Sequence, residues 1–332
     1  MSSPKLIVIV GATGVQGGAI ANTFLQEPGW KVRALTRSAS SAKAQALAAR
    51  GAQVVEADID DPATLPAAFE GANAIFAVTN FMGLYIDPAN QNKPKPGQDL
   101  IEWVAEHETQ QINNVSNAAA KVPTLERYII SSLSNATKWS KGKYPHAHAF
   151  VSKARAVDYV KDSLPELWAK TSTFQAGWFL TNLVGNPFQK PIKGEDGTIQ
   201  FMGTLQPDVK QPWIAAEEDT GPFVRALIQE PAGKNLIAYR GWVTQEELAA
   251  IFAKVTGLKT KVVTLPRGEY HVPLSDDWKT VLKETSAYAS EFGYEGRDDP
   301  SLVHPKDLKS LPVLGTLEDW IKKQDWETAF EA

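Results

Sequence analysis

The stretch that decides the fold runs Leu6-Ile7-Val8-Ile9-Val10-Gly11-Ala12-Thr13-Gly14-Val15-Gln16-Gly17-Gly18. Leu6 to Val10 form a continuous apolar run rich in β-branched residues, as suits a parallel strand buried on both faces. Glycines follow at once. Gly11 allows a tight turn, Gly14 lets the backbone approach a pyrophosphate, and Gly17 lets the next helix pack close to the strand. The N-terminus of that helix, expected over about Gly17–Gln26, then offers unpaired N–H groups and a positive dipole end to the phosphates. A glycine string alone says little, but one between a strand and a helix reads as a dinucleotide-binding turn.

Working outward, strand and helix patterns alternate through the first 130 residues. Strands are expected at Val32–Leu35, Gln53–Glu56, Ala74–Val78 and Arg127–Ile130. Helices are expected at Ser40–Arg50, stopped by Gly51, at Ala63–Glu70, and at Gln98–Ala120. Another helix at about 147–162 leads to a sixth strand, Ser172–Gln175. This is the pattern of an α/β fold, a doubly wound parallel Rossmann sheet with right-handed crossovers. Residues 80–97, with three prolines, read as a long loop of functional character.

Beyond residue 180 the texture changes to short segments punctuated by proline and glycine. Strands are expected at Thr198–Phe201, Leu236–Tyr239 and Lys261–Leu265, and a helix over Glu217–Gln229. Thr244-Gln245-Glu246-Glu247 is a capping box opening a helix to about Thr256. Residues 275–332 read as mostly helical. The expected organisation is a Rossmann domain over 1–180 and a smaller mixed α/β lobe over 181–332. Strand six and parts of the lobe are expected to interleave.

The choice of cofactor is read at the end of the second strand, where an NAD site carries an acidic residue for the ribose 2′-hydroxyl. Here the chain has Leu35-Thr36-Arg37-Ser38, with no acid from Lys31 to Lys43. Arg37, with help from Lys43 and the Thr36 and Ser38 hydroxyls, suits a 2′-phosphate, so NADP(H) is expected. Asp58, after the third strand, either accepts from the adenine amino group or caps the turn before Pro62.

Composition narrows the classes. The 332 residues are 43% hydrophobic and 22% charged, ordinary for a globular protein, and the net charge of −4 does not favour nucleic acid or an acidic membrane. There are no cysteines, which excludes disulfides, thiolate catalysis and cysteine-ligated zinc. His146-x-His148 lacks a spaced third and fourth donor, so no metal is expected. With no apolar leader after Met1 and no apolar run long enough to span a bilayer, a cytoplasmic protein is expected, or a nuclear one if regulatory.

Gly11-Ala12-Thr13-Gly14-Val15-Gln16-Gly17, Arg33-Ala34-Leu35-Thr36-Arg37-Ser38, Ala57-Asp58-Ile59-Asp60-Asp61 and Tyr128-Ile129-Ile130-Ser131-Ser132, in this order, resemble the NmrA-like family of atypical short-chain dehydrogenase/reductases. Gln211-Pro212-Trp213-Ile214 and Glu218-Asp219-Thr220-Gly221-Pro222 extend the resemblance into the second half. It implies NADP(H) held by the turn (Gly11, Thr13, Gly14, Val15, Gln16, Gly17), by Arg37, Asp58 and Ile59, by Thr79, Asn80 and Phe81, and by Lys153 and Gly177. Relatives include both enzymes and redox-sensing regulators.

Ordinary members of the wider group pair a catalytic Tyr with a Lys one helical turn later. Here Ala149 stands before Lys153, so the usual proton donor is absent. Lys153 itself, as in the related isoflavone-reductase-like enzymes, is the first candidate. His148 and Tyr144 are weaker ones, and Ser131 or Ser132 is a candidate to polarise a substrate oxygen. Phe81, Met82, Tyr85, Trp139, Phe150, Trp178, Phe179 and Trp213 are expected near the carboxyl ends of the strands, partly as core and partly as the wall of an aromatic or apolar substrate pocket. Two functions follow. One is NADPH-dependent reduction of an aromatic or apolar carbonyl or enone; the other is non-catalytic NADP(H) sensing with a protein partner.

Overall fold

The computed structural model describes residues 3–331; Met1, Ser2 and Ala332, which the expected ranges include, lie outside the described residues. The first half runs β1 (Lys5–Ile9), α1 (Val15–Phe24), β2 (Trp30–Thr36), α2 (Ala42–Ala49), β3 (Gln53–Glu56), α3 (Leu65–Phe69), β4 (Ala74–Ala77), α4 (Phe81–Ile86) and α5 (Leu100–Ala119). It continues with β5 (Arg127–Ser132), α6 (Ala136–Trp139), α7 (His148–Ser163), α8 (Pro165–Trp168) and β6 (Thr171–Ala176). Then come β7 (Trp178–Phe179), α9 (Asn182–Gly185), β8 (Ile192–Lys193), β9 (Ile199–Gly203), β10 (Gln211–Ile214), α10 (Ala216–Gln229), β11 (Asn235–Ala238) and β12 (Gly241–Val243). The chain ends with α11 (Gln245–Thr256), β13 (Thr260–Thr264), α12 (Asp276–Phe292), β14 (Leu302–Val303), α13 (Leu317–Lys322) and α14 (Trp326–Glu331).

Eight strands form one parallel sheet in the order β14-β11-β6-β5-β4-β1-β2-β3. The order reverses between β1 and β4, the switch point where the carboxyl ends of the strands open a crevice. The apolar run at Ile7, Val8 and Ile9 is fully buried, as a central strand between two helical layers requires. One layer is α1 against α10, with Ile20 and Phe24 meeting Phe223, Val224 and Leu227 in one core cluster. The other is α3, α5 and α7, whose Leu65, Ile112, Val115 and Val160 share a cluster with Val8 and Ile75.

The doubly wound sheet is as expected, and two local expectations need correction. Residues 80–97 are not all loop: α4 forms at once, because the Asn80 side chain accepts from the Gly83 N–H at 3.0 Å and caps it. Residues 275–332 are less helical than expected. Gly293, at a φ of +80°, ends α12, and an irregular stretch with β14 follows before α13. Thr244 and Glu247 do form the expected capping box.

Residues 181–332 contribute β11, β14 and α10 to the large sheet and its cover. A cut at residue 180 therefore separates segments in sequence and not in space. Arg240, just past β11, fastens this return: its guanidinium donates to both carboxylate oxygens of Asp219 on α10 and to Glu218. The remaining strands make two small sheets, β12-β10-β7 and β13-β9-β8. These pack with α11 and α13 around Phe201, Trp213, Phe252 and Trp320. Among the described residues no helix is long and apolar enough to cross a membrane.

Candidate functional site

The glycine turn lies at the carboxyl end of β1, beside the switch point. Gly11 adopts a φ of +67°, and a Cβ on Gly17 would stand 2.2 Å from the Gly11 carbonyl oxygen. Helix and turn are thus in backbone contact, which only glycine permits. Gly14 caps α1, and no side chain occupies the N–H groups of the first turn among the described residues. Gly11, Gly14 and Val15 are exposed. An open, uncapped helix start of this geometry fits an anionic phosphate group. Gln16 faces the sheet, where its Oε1 accepts from the Ser131 hydroxyl at 2.8 Å and ties the turn to the end of β5.

Arg37 is exposed and has no ion-pair partner among the described residues, an arrangement open to an anion. Next to it the loop after β3 is gripped by three side chains of one α5 face. His107 meets Asp60 at 2.9 Å, Gln111 donates to both Asp60 oxygens, and Asn114 donates to the Ile59 carbonyl. The hydrogen bond from His107 holds the Asp60 carboxyl below its usual range despite partial burial. Asp58 uses one carboxylate oxygen to accept from the Asp60 N–H at 2.9 Å, so it does cap its own turn. Its other oxygen has no partner among the described residues.

The centre of the crevice is organised by Glu108, which the sequence reading did not select. Its side chain is fully buried on α5. Lys153 Nζ donates to Glu108 Oε1 at 2.6 Å, the Thr79 hydroxyl donates to the same oxygen at 2.8 Å, and the Ser152 hydroxyl donates to the other. One carboxylate therefore joins the loop after β4 to two adjacent residues of α7. The Thr109 hydroxyl reinforces the link by donating to the Ser152 carbonyl. A signal was present: Glu108 falls on the stripe of Ile101, Val104, Ala105, Ile112 and Val115 that α5 buries, where a charge requires partners.

Lys153 remains 12% exposed and lies 6.0 Å from the centre of the Phe81 ring. Phe81 is buried against Trp278 of α12, and Tyr85 of α4 packs on the same indole at 5.1 Å with the rings tilted by 50°, so the second half of the chain covers this flank. Ala149 lies one turn before Lys153 on α7, within that apolar cluster. The other acid–base candidates are placed elsewhere. The Tyr144 hydroxyl donates to Glu291 at 2.7 Å, and burial with this carboxylate raises its pKa. His148 opens α7 five residues before Lys153, off its face, and burial lowers its pKa. His146 bonds Glu284.

Ser132 is buried, and its hydroxyl donates to the Leu133 carbonyl at 3.2 Å. Gly177 is buried where the chain passes from β6 to β7. A Cβ there would meet the Pro212 carbonyl oxygen at 2.5 Å, so close approach of the chain's own backbone already requires the glycine. Of the aromatic candidates, Trp178 and Trp213 line a cavity of about 100 Å³ beside the two small sheets. Phe150 packs in a separate core with Tyr288 and Tyr294, and Phe179 against the core of the large sheet.

Sheet order and glycine turn together define a Rossmann-type α/β protein with its crevice at the β1/β4 switch. The chain belongs to the NmrA-like family, which it matches over residues 3–321. It is 28% identical to the NmrA-like family domain-containing oxidoreductase hkm9 of Aspergillus hancockii, over 97% of each chain. In fold it is similar to NmrA, a negative transcriptional regulator, with a TM-score of 0.77, 20% identity and coverage of 98% of this chain and 99% of that one. NmrA has also been crystallised in complex with NADP. A third likeness is to leucoanthocyanidin reductase of Vitis vinifera, solved as a binary complex with NADPH. Its TM-score is 0.67 and its identity 17%, and the match covers 98% of this chain and all of that one.

Proposed function

We propose that the chain is an NADPH-dependent reductase of an aromatic or apolar small molecule, acting on a carbonyl or a conjugated double bond. The observation that carries this reading is the buried Glu108 carboxylate holding Lys153 at the switch-point crevice. When bound, NADPH supplies the hydride. The chain's own residues do the rest. The uncapped start of α1 with Gly11, Thr13, Gly14, Val15, Gln16 and Gly17 takes the pyrophosphate, and Arg37 the 2′-phosphate. Ile59, held through its carbonyl by Asn114 of α5, and the adjacent Asp58 face the adenine; Thr79, Asn80, Phe81 and Gly177 complete the cleft.

Lys153, balanced by Glu108, presents an oriented ammonium to the oxygen on which negative charge develops, where it stabilises that charge or hands over a proton. The Ser132 hydroxyl, bonded to the adjacent Leu133 carbonyl, turns to the substrate oxygen only by giving up that bond. The substrate is a small molecule, and the cytoplasm is the expected compartment.

A second reading is favoured by one observation, the alanine at position 149 where a proton-donating Tyr would stand. In it the chain senses NADP(H) and binds a protein partner, and the nucleus becomes the alternative compartment. The likeness to NmrA supports this. Incubating the purified chain with NADPH and a panel of aromatic ketones and enones separates the two. Turnover lost in Lys153→Ala, with NADPH binding retained, is the expected result. No turnover by the unaltered chain, together with a large gap between NADPH and NADP⁺ affinities, would establish the sensor instead.

Cofactor preference has its own test. Arg37→Ala is expected to weaken NADPH binding by about 10- to 100-fold, the worth of a charge-assisted hydrogen bond. NADH binding should stay unchanged. Equal NADPH affinity in variant and parent would remove Arg37 from the site.

A further inference from the structure

Two carboxylates lie close to the cation at the end of β2, and both are tied to something else. β2 and β3 run parallel with Thr36 opposite Glu56, and the Ala57 N–H donates to the Thr36 carbonyl at 3.0 Å. Arg37, the next residue, therefore leaves its strand where the loop after β3 begins. Glu56 uses one carboxylate oxygen to accept from the Ala39 N–H at 3.2 Å. Asp60 follows three residues after Ala57. The causes that hold its carboxyl below the usual range, led by the His107 hydrogen bond, include the charge of Arg37, so the two side chains lie within electrostatic reach. Among the described residues no ion pair joins them.

An unheld aspartate would not leave a neighbouring arginine free. It would pair with the guanidinium or repel an approaching anion. Here both Asp60 oxygens are taken by α5. Oδ1 meets His107 Nε2 at 2.9 Å and Gln111 Nε2 at 3.0 Å, and Oδ2 meets the same Gln111 nitrogen at 3.0 Å. His107 and Gln111 stand four residues apart on one helix face. The Gln111 side chain is buried, and the His107 ring is steadied by stacking on Trp103 at 4.6 Å and 14°.

The backbone of the loop has other supports. The Thr64 hydroxyl bonds both the N–H and the carbonyl of Asp58, Asp58 accepts from the Asp60 N–H, and Asn114 donates to the Ile59 carbonyl. His107 and Gln111 thus act on a carboxylate whose main chain is already placed.

We propose that His107 and Gln111 are specificity-determining positioning residues: by holding the Asp60 carboxylate on α5, they keep Arg37 free for the 2′-phosphate and set a preference for NADPH over NADH. That role rests on Arg37 as the 2′-phosphate site and is the same in a reductase or a sensor. Released, Asp60 pairs with Arg37 and takes the cation from the phosphate, or it accepts from the ribose 2′-hydroxyl of NADH, as the acid of an NAD site does.

Fluorescence titration of the full chain with NADPH and NADH is the test. Gln111→Met, which keeps an unbranched side chain and drops the amide, is expected to weaken NADPH binding by about 5- to 10-fold, the effect of one partly exposed charge. NADH binding should hold or tighten. His107→Phe keeps a ring against Trp103 and drops the hydrogen bond, so it should shift the ratio the same way by a smaller factor. Asp60→Asn carries no charge and should retain the NADPH preference, both alone and combined with Gln111→Met.

Equal losses of NADPH and NADH affinity in Gln111→Met, or a loss that Asp60→Asn does not restore, would make these contacts mere supports of the loop and overturn the proposal. An unchanged NADPH/NADH ratio in both Gln111→Met and His107→Phe would do the same. Arg37→Ala separates this role from the reading beneath it. Undiminished NADPH affinity in that variant removes the phosphate site and the proposal together. Weakened NADPH binding there, beside an unchanged ratio in Gln111→Met, sinks the proposal alone.

Discussion

Gly17→Ala is expected to lower NADPH affinity by at least about 100-fold, the cost of misplacing a binding group by an ångström. The added methyl would lie 2.2 Å from the Gly11 carbonyl oxygen, 2.7 Å from its carbon and 2.8 Å from Ala12 Cα. All three are backbone atoms and cannot rotate away, so α1 has to lift from β1. That lift carries the open N–H groups of the first turn with it. Stability should fall as well, by roughly 1–3 kcal/mol for an overpacked contact. Gly18→Ala is the control, since its Cβ would meet only the Ala12 carbonyl oxygen at an ordinary 3.6 Å. Fluorescence titration with NADPH and thermal melts read both effects. Wild-type affinity in Gly17→Ala would show that the turn is not where the cofactor binds.

The second large effect is expected at Glu108. Glu108→Gln leaves the Lys153 ammonium, 12% exposed, beside a neutral amide. Breaking a buried pair in this way costs roughly 3–5 kcal/mol, because the remaining charge is desolvated without compensation. Turnover should fall with it, since Lys153 and the loop bearing Thr79 lose a shared anchor. Lys153→Met should be milder for stability, because Glu108 keeps the Ser152 and Thr79 hydroxyls.

The double variant Glu108→Gln/Lys153→Met removes both charges and is expected to regain most of the stability while turnover stays lost. Chemical denaturation and kcat, measured on all three variants, decide the matter. If activity returns along with stability in the double variant, the pair merely holds the fold together and Lys153 has no part in the reaction.

Much of this was legible from residue order. The β-branched run of Ile7 to Val10 and the glycines at 11, 14 and 17 act within a dozen residues, so steric rules alone locate the turn. The pattern at Arg37 is equally local, as a cation at the end of β2 with no acid in the sequence from Lys31 to Lys43. Helix caps at Thr244 and Asn80 are local too, although the second was overlooked because three prolines made residues 80–97 look like loop throughout. The irregular stretch after α12 was missed for a related reason. That stretch joins the large sheet only through the two residues of β14, which pair with β11, and no periodicity announces an edge strand this short.

The chemistry at the centre of the crevice is of another kind. Glu108 and Lys153 are 45 residues apart, and Trp178 reaches Trp213 only because β7 and β10 pair in register. The sequence by itself determined the parallel sheet and the glycine turn after its first strand, because each depends on neighbours along the chain. Only the tertiary structure decided that Lys153 is held by a buried carboxylate and that the hydroxyl of Tyr144 is held by Glu291. Those pairings follow from strand order and helix packing, which bring distant residues within hydrogen-bonding reach or keep them from it.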